Sequence, residues 1–377
     1  MDFELNDEQV MLRDTTRELL SRSYDAEKRN AVTAEGKGWS DDVWGKLAEI
    51  GLLGLPFAEE DGGMGAGPVE TMAVMTEIGR ALAPEPYLDG VLTPGGLVSE
   101  LGSADQRAKL LPALAEGATL LAFAHAEPGT RWPDEVVETT ATASGDGWTL
   151  TGTKNPVLHG DCAETLVVSA VLPDGGLGLF LVAADAAGVT RKSYATHDEL
   201  RAAQIEFDGA VAEQLGDGGD ASAAIVASQV RTQAALCAEA VGAMEEALRL
   251  TTEYLKQRKQ FGVPLSKFQT LTHRAADMYV ELELARSMSL YATMNLADGI
   301  VDPIVASRAK LQISKAARHI GLEAIQMHGG IGMTAEYPVG HYVSRLTAIG
   351  HTLGGADEHL RVLAGVVADH EMVNITT

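Results

Sequence analysis

Cysteine, basic residues and long apolar runs are all scarce in this chain. Only two cysteines, Cys162 and Cys237, occur in 377 residues. They have no metal-ligand spacing and cannot make a disulfide framework, which points to a reducing compartment and two bystander thiols. No stretch of eighteen apolar residues is present, so no membrane insertion is expected. The start, Met1-Asp-Phe-Glu-Leu-Asn, lacks the basic-then-apolar plan of a signal peptide. A cytoplasmic protein is the expectation. Lysine and arginine number 29 against 53 acidic residues, a formal net charge of -24. That excess argues against nucleic acid or an anionic membrane surface as a partner, because both ask for a basic face. An anionic small ligand would need a local island of positive charge. Lys256, Arg258, Lys259 and Lys267 supply one.

The length allows a substantial core spread over two or three domains. To about Ala118 the pattern is helical. Asn6 and Asp7 open one helix, Ser40 and Asp41 another, Val69 to Leu82 reads as a third, and Ser103-Ala-Asp-Gln106 is a capping-box signature before Leu110, Leu111 and Leu114. Residues 59–68, rich in glycine, read as a loop. From about Thr119 short β-like runs follow. Thr139 to Ser144 and Trp148 to Gly152 flank the turn Gly145-Asp-Gly147, Thr165 to Leu172 and Gly178 to Val182 make a second hairpin, and Arg201 to Phe207 is one further strand. After Ala221 long helices are expected at about 221–257, 266–298, 304–328 and 356–371, with Ser266 capping the second. The organisation is α+β and mainly helical. Residues 1–118 form an N-terminal helical domain, 119–220 a middle β-domain, and 221–377 a C-terminal four-helix bundle.

The first two bundle helices meet at Arg258-Lys-Gln-Phe-Gly262, where Gly262 and Pro264 break the helical pattern. By its residues alone this turn is either a charge-complemented helix end or a receptor for an anionic group, since guanidinium geometry suits phosphate. Likewise Gly329-Gly-Ile-Gly332 is by itself compatible with an ordinary helix C-cap. In order along a three-part plan, Arg258-Lys-Gln-Phe-Gly262, Phe268-Gln269, Gln326-Met-His-Gly-Gly-Ile-Gly332 and Glu336-Tyr-Pro338 resemble the acyl-CoA dehydrogenase family. The likeness runs through essentially the whole chain.

The resemblance implies an FAD shared across a subunit interface, with this chain cradling the nucleotide. In that picture Arg258 pairs with the pyrophosphate and Gln260 hydrogen-bonds nearby. Phe261, Leu265, Phe268 and Gln269 line the nucleotide slot, and Gln326, Met327, Gly329 and Gly330 bring backbone close to the dinucleotide. The flavin-ring half departs from the family pattern. Ala126 stands where a threonine is expected, before Glu127-Pro-Gly129; Thr130-Arg-Trp132 replaces a serine-aspartate pair; Pro156-Val-Leu158 replaces tryptophan-isoleucine-threonine.

The implied chemistry is α,β-dehydrogenation of an acyl-CoA thioester, which needs a carboxylate to take the α-proton. The usual position of that base matches Gly354, and the less common one, on the first bundle helix, matches Thr232. Neither residue is a base. Glu239, Asp357, Glu358 and His351 lie near enough in sequence to be weighed as substitutes, although Asp357 and Glu358 also suit the first turn of a helix. The expected function is therefore the subunit of an α2β2 enzyme that lacks the catalytic glutamate, working with a homologous partner, with an electron-transfer flavoprotein as acceptor. Fatty acid or steroid side-chain β-oxidation is the expected setting. A homomeric flavoenzyme with a relocated base, and a catalytically silent assembly protein, are the alternatives.

Overall fold

The computed structural model describes residues 4–145 and 147–369. The first three residues, Asp146 of the hairpin turn and the last part of the 356–371 helix expectation lie outside the described residues. The N-terminal part holds α1 (Asp7–Ser23), α2 (Ala26–Ala34), α3 (Asp41–Glu49), α4 (Pro68–Ala81), α5 (Thr93–Leu101) and α6 (Ala104–Ala115). The expected caps form. Asn6 and Gln9 satisfy each other's backbone N–H groups at the head of α1, Ser103 and Gln106 do so at α6, and Ser40 accepts from Val43 at α3. Helices α2 and α5 were not expected from the sequence. Helix α5 starts Thr-Pro-Gly-Gly, a poor helix former, and is held by burial of Pro94, Leu97 and Val98.

The middle part is one sheet of β1 (Leu121–Ala124), β2 (Thr140–Ser144), β3 (Gly147–Leu158), β4 (Thr165–Val171), β5 (Leu177–Ala183), β6 (Val189–Ala195) and β7 (Arg201–Gln214). Its order is β1-β4-β2-β3-β7-β5, with β6 beside β7; β5 also pairs with β4, so the sheet curls back on itself. Both expected hairpins, β2–β3 and β4–β5, are antiparallel pairs. The strand expected at 201–207 continues to Gln214. Alternation decides which core each side chain joins. Leu166, Val168 and Phe180 pack inside the sheet's own cluster, while Val167, Leu179 and Leu181 join the helical core.

The C-terminal part is built on α7 (Ser222–Gln257), α8 (Gln269–Ala297), α9 (Pro303–His328), α10 (Val339–His351) and α11 (Ala356–Gly365). Helix α7 has 36 residues and packs on α4, α8, α9 and α10. Two expectations need correction here. Ser266 does not cap α8: it lies in a 3-10 turn, Leu265–Lys267, and the helix starts after Phe268 without a side-chain cap. The sequence reading also lacked α10, which packs on α9 and α7, and it extended the last helix beyond Gly365. Helices α4 and α7 cross with their backbones touching. A β-carbon on Gly79 would collide with the Glu239 carbonyl, and one on Gly242 with the Thr76 carbonyl. Among the described residues, no helix is long and apolar enough to cross a membrane.

Candidate functional site

Arg258 ends α7, its N–H donating to Tyr254 O at 2.8 Å, and its own carbonyl accepts from Leu265 N at 2.8 Å. Between them a small ribbon, Lys259–Gln260 with Val263–Pro264, turns through Phe261. Phe261 is 91% exposed and sits at φ 52, in the left-handed region, with its ring edge-on to Phe268 at 6.1 Å. Lys256, Arg258, Lys259 and Lys267 are exposed, and none lies within ion-pair distance of a described acid. By contrast Arg17, Arg80, Arg249, Arg274 and Arg286 are each matched with glutamate.

A second turn lies beside the first. Tyr254, one turn before Arg258, stacks on His328 at 4.6 Å, and His328 in turn meets Tyr337 at 4.9 Å. The His328 ring reaches Ala324 O through Nδ1 and the Tyr337 hydroxyl through Nε2. Burial lowers its pKa, so the neutral ring donates at Nδ1 and accepts at Nε2. This aromatic cluster fastens the end of α9 to the end of α7, placing Gln326, Gly329 and Gly330 next to the Arg258 turn. Gln326 and both glycines are exposed. The Met327 side chain packs into the core, the residue being only 5% exposed. Gly329 needs its left-handed φ of 64 to end α9, and among the described residues no atom crowds either glycine. The residues His328, Tyr254 and Tyr337 were missed from sequence as the fasteners. Their spacing carries no signal until the two helices are placed side by side.

At the other candidate position the chain runs from α10 into α11 through Leu353 and Gly354, both at positive φ. The carbonyls of this connection are fixed from below: Lys310 Nζ donates to Ile349 O, Ser314 to Gly350 O, and Gln233 Nε2 to Leu353 O at 2.9 Å. Glu358 is taken up in the α11 capping box, accepting from Gly355 N at 3.1 Å, and Asp357 and His351 are exposed. His359 is fully buried, and neither of its ring nitrogens makes a well-aligned hydrogen bond, although the Leu353 and Gly354 backbones lie within reach of the ring. Burial, helped by the nearby Lys310 charge, lowers its pKa to about 4, and burial lowers Lys310 itself to about 8. Trp132 covers this place, its ring 4.3 Å from that of His359. A β-carbon on Gly354 would overlap the Trp132 ring and stand 2.9 Å from His359 Nε2.

Glu239 is committed elsewhere, bound at both carboxylate oxygens by Arg345. Thr232 shares a hydrogen bond of 2.9 Å with Thr93 and lines a cavity of about 370 Å³ between α4, α5, α7 and α8. Phe57, Met72, Leu88, Leu92 and Leu296 make that cavity apolar, and an Arg231–Glu100 ion pair of 2.6 Å lies on its wall. Its size suits a small-molecule ligand. In the sheet, Lys154 is fully buried and reaches Glu127, Ser169 and the His125 carbonyl. Ala126, Pro156, Val157 and Leu158 offer no side-chain hydrogen-bonding group to a ligand there.

Three domain families match nearly end to end. The profile of the acyl-CoA dehydrogenase N-terminal domain matches residues 6–118, that of the middle domain 122–210, and that of the C-terminal domain 226–366. The acyl-CoA dehydrogenase IpdE2 of Mycobacterium tuberculosis is 30% identical over 370 residues, covering 96% of this chain and 98% of the relative. Among solved structures, a variant of the Tcur3481-Tcur3483 steroid ACAD is 34% identical with a TM-score of 0.88, over 96% of this chain and 98% of that one. The ChsE4-ChsE5 complex from Mycobacterium tuberculosis is 26% identical with a TM-score of 0.91, over 99% and 100%.

Proposed function

The chain belongs to the acyl-CoA dehydrogenase family, and on that premise we propose that it is the subunit without a catalytic base in a two-component enzyme. A homologous partner contributes the glutamate and the flavin-ring pocket, and this chain contributes the nucleotide cradle. The assembly is α2β2, acts on an acyl-CoA thioester of a fatty acid or steroid side chain, and passes electrons to an electron-transfer flavoprotein. The pairing of named chains in the two solved neighbours, one of them a steroid ACAD, supports this.

The observation that carries the reading is the contrast between the two ends of the chain's site. The turn at Arg258 offers an exposed cationic group with no partner, while Gly354 and Thr232, the two places for a base, offer none. Arg258, with Lys256, Lys259 and Lys267 around it, fits a pyrophosphate, because an unpaired guanidinium can bind it bidentately without breaking an internal ion pair. Gln260, Gln269 and Gln326 are exposed beside it as neutral donors, with Phe261, Leu265 and Phe268 as apolar walls, and Gly329 and Gly330 leave room for close approach. Bound FAD supplies the hydride acceptor. The ring half of the site does not fit this chain, since Trp132 fills the place beside Gly354 and Pro156-Val-Leu158 lacks donors.

A relocated base has little support from these side chains. Glu239 is held by Arg345 and Glu358 by the α11 cap. The test is co-expression with a homologous subunit that retains the glutamate, followed by counting flavin. Two FAD per tetramer, dehydrogenation by the complex, and an order-of-magnitude loss of FAD retention in Arg258→Ala are expected. Four FAD per tetramer, or unchanged retention in that variant, overturns the assignment.

A further inference from the structure

We propose that the segment Thr130–Glu138, between β1 and β2, is a strap that closes this chain's own would-be reaction centre, with Trp132 as the stopper. The inference deepens the reading of Gly354 as a vacated base position and rests on it for the word "reaction". The closure itself rests on geometry alone.

The strap is anchored at three points on the bundle. Trp132 lies on His359 and over Gly354. Asp134 pairs with Arg361 of α11 at 2.8 Å. Glu135 accepts from Gln229 of α7 at 2.9 Å and faces His125 Nε2 at 3.5 Å. The middle anchor is exposed on both sides, so it adds little by itself. Glu135 is only 15% exposed, and its bond to α7 sets where the strap lies.

Beneath the strap His359 is entirely buried, and neither ring nitrogen makes a well-aligned hydrogen bond. A buried polar group with poorly aligned partners is costly, and it persists only where the packing around it excludes water. The Trp132 ring is the cover on the Gly354 side. The same ring takes the volume a side chain at 354 would need, so this chain is silenced twice. The carboxylate is absent, and the room for one is filled. A reactant brought against Gly354 would first have to displace the indole. Restoring a glutamate at position 354 alone therefore does not reopen the site.

The test uses the full chain and needs neither flavin nor partner, so its outcome is independent of whether Arg258 holds FAD. Diethyl pyrocarbonate modifies accessible neutral imidazoles, and mass spectrometry of the peptides reads each histidine. His359 in the wild type is expected to react at least about tenfold more slowly than exposed His351, as a group reached only by local opening. In Trp132→Ala, with a cooperative melt confirming the fold, His359 reactivity rises about tenfold or more. Trp132→Phe, which keeps an aromatic cover, stays protected. Should Trp132→Ala fail to fold, Glu135→Ala, which removes the acceptor that ties the strap to Gln229 of α7, is expected to raise His359 reactivity.

A second measurement isolates the stopper. Gly354→Ala is expected to lower the melting temperature more in the wild type than in a Trp132→Leu background, because the collision is with the indole, whereas the backbone strain at position 354 is common to both. Equal His359 protection with and without the strap's contacts, or equal effects of Gly354→Ala in the two backgrounds, overturns the proposal.

Discussion

Arg345 donates to both carboxylate oxygens of Glu239, at 2.6 and 2.8 Å, and its remaining nitrogen donates to Asp198 at 2.7 Å. One guanidinium thus ties α10 to α7 and to the connection between β6 and β7. The carboxylates are 5% and 2% exposed. Burial works against the charge on Arg345, but the two carboxylates outweigh it and raise the guanidinium pKa above its usual value. For Asp198 burial acts upward and Arg345 prevails, leaving the carboxyl below the usual range.

Removing Arg345 leaves two buried carboxylates uncompensated. Arg345→Met is expected to destabilise the chain by about 3–5 kcal/mol, read from urea unfolding. Because the Asp198 pKa is lowered on folding, its share of the stability is present above the unfolded carboxyl pKa and is lost as pH falls through the folded value. Arg345→Met should flatten the stability profile in that acid range. Glu239→Gln, in the assembled enzyme, should leave dehydrogenation intact, and a loss exceeding that of protein stability would make Glu239 a base after all.

The crossing of α4 and α7 leaves no space for side chains at Gly79 and Gly242. Gly242→Ala gains a little helix propensity, roughly 1 kcal/mol, and forces two backbones apart. The second effect should win, with a net loss of about 1–3 kcal/mol or failure to fold. Thermal melting checks the sign. Gly350, in α10 with open space at its β-carbon, is the control, and Gly350→Ala should be neutral or stabilising.

Function and stability should separate at the turn after α7. Arg258→Ala removes an exposed, unpaired side chain and should change stability by no more than about 0.5 kcal/mol while weakening FAD retention. Phe261→Gly removes a left-handed φ of 52 from a non-glycine residue, a strain of order 1 kcal/mol, so the isolated chain should become more stable. The same change should weaken assembly, because a ring 91% exposed in the lone chain contributes nothing to its core. Gel filtration of the co-expressed pair reads the second effect.

His359 should leave a mark on acid stability. Its pKa of about 4 is below the ordinary histidine value, so the unfolded chain binds the proton first as pH falls from about 6.5. Stability is fully present above that value and declines towards pH 4. Glu85 acts in the opposite sense over the same range, since burial raises it to about 7. The difference between wild type and His359→Leu isolates the histidine. The variant should lose less stability between pH 7 and pH 5, measured by urea unfolding at each pH.

Local signals were legible where neighbours in sequence are also partners in space. The Ser103–Gln106 box, the two hairpins, and the α7 stripe through Ala238, Val241 and Leu248 need only contacts within a turn or a register. The polar and glycine-rich turns after α7 and α9 were equally visible, because Gly262 with Pro264, and Gly329 with Gly330, fall where the apolar helical stripes stop. That neither Gly354 nor Thr232 is a base is plain from their residue types, whereas their matching of the family's base positions came from the resemblance.

What the tertiary structure alone decided depends on side chains far apart in the chain. Helix α5 forms despite Thr-Pro-Gly-Gly because the core covers it, and α10 becomes part of the bundle by packing on α9 and α7. The Met327 side chain packs into the core. Glu239 gains its arginine from 106 residues downstream. Trp132 looked like one more departure from a motif, and only the approach of the sheet to the bundle set it on Gly354 and His359. Residue types and short-range pattern determined the helix ends, hairpins and turns, and long-range packing, which no local pattern encodes, determined which side chains meet across the chain.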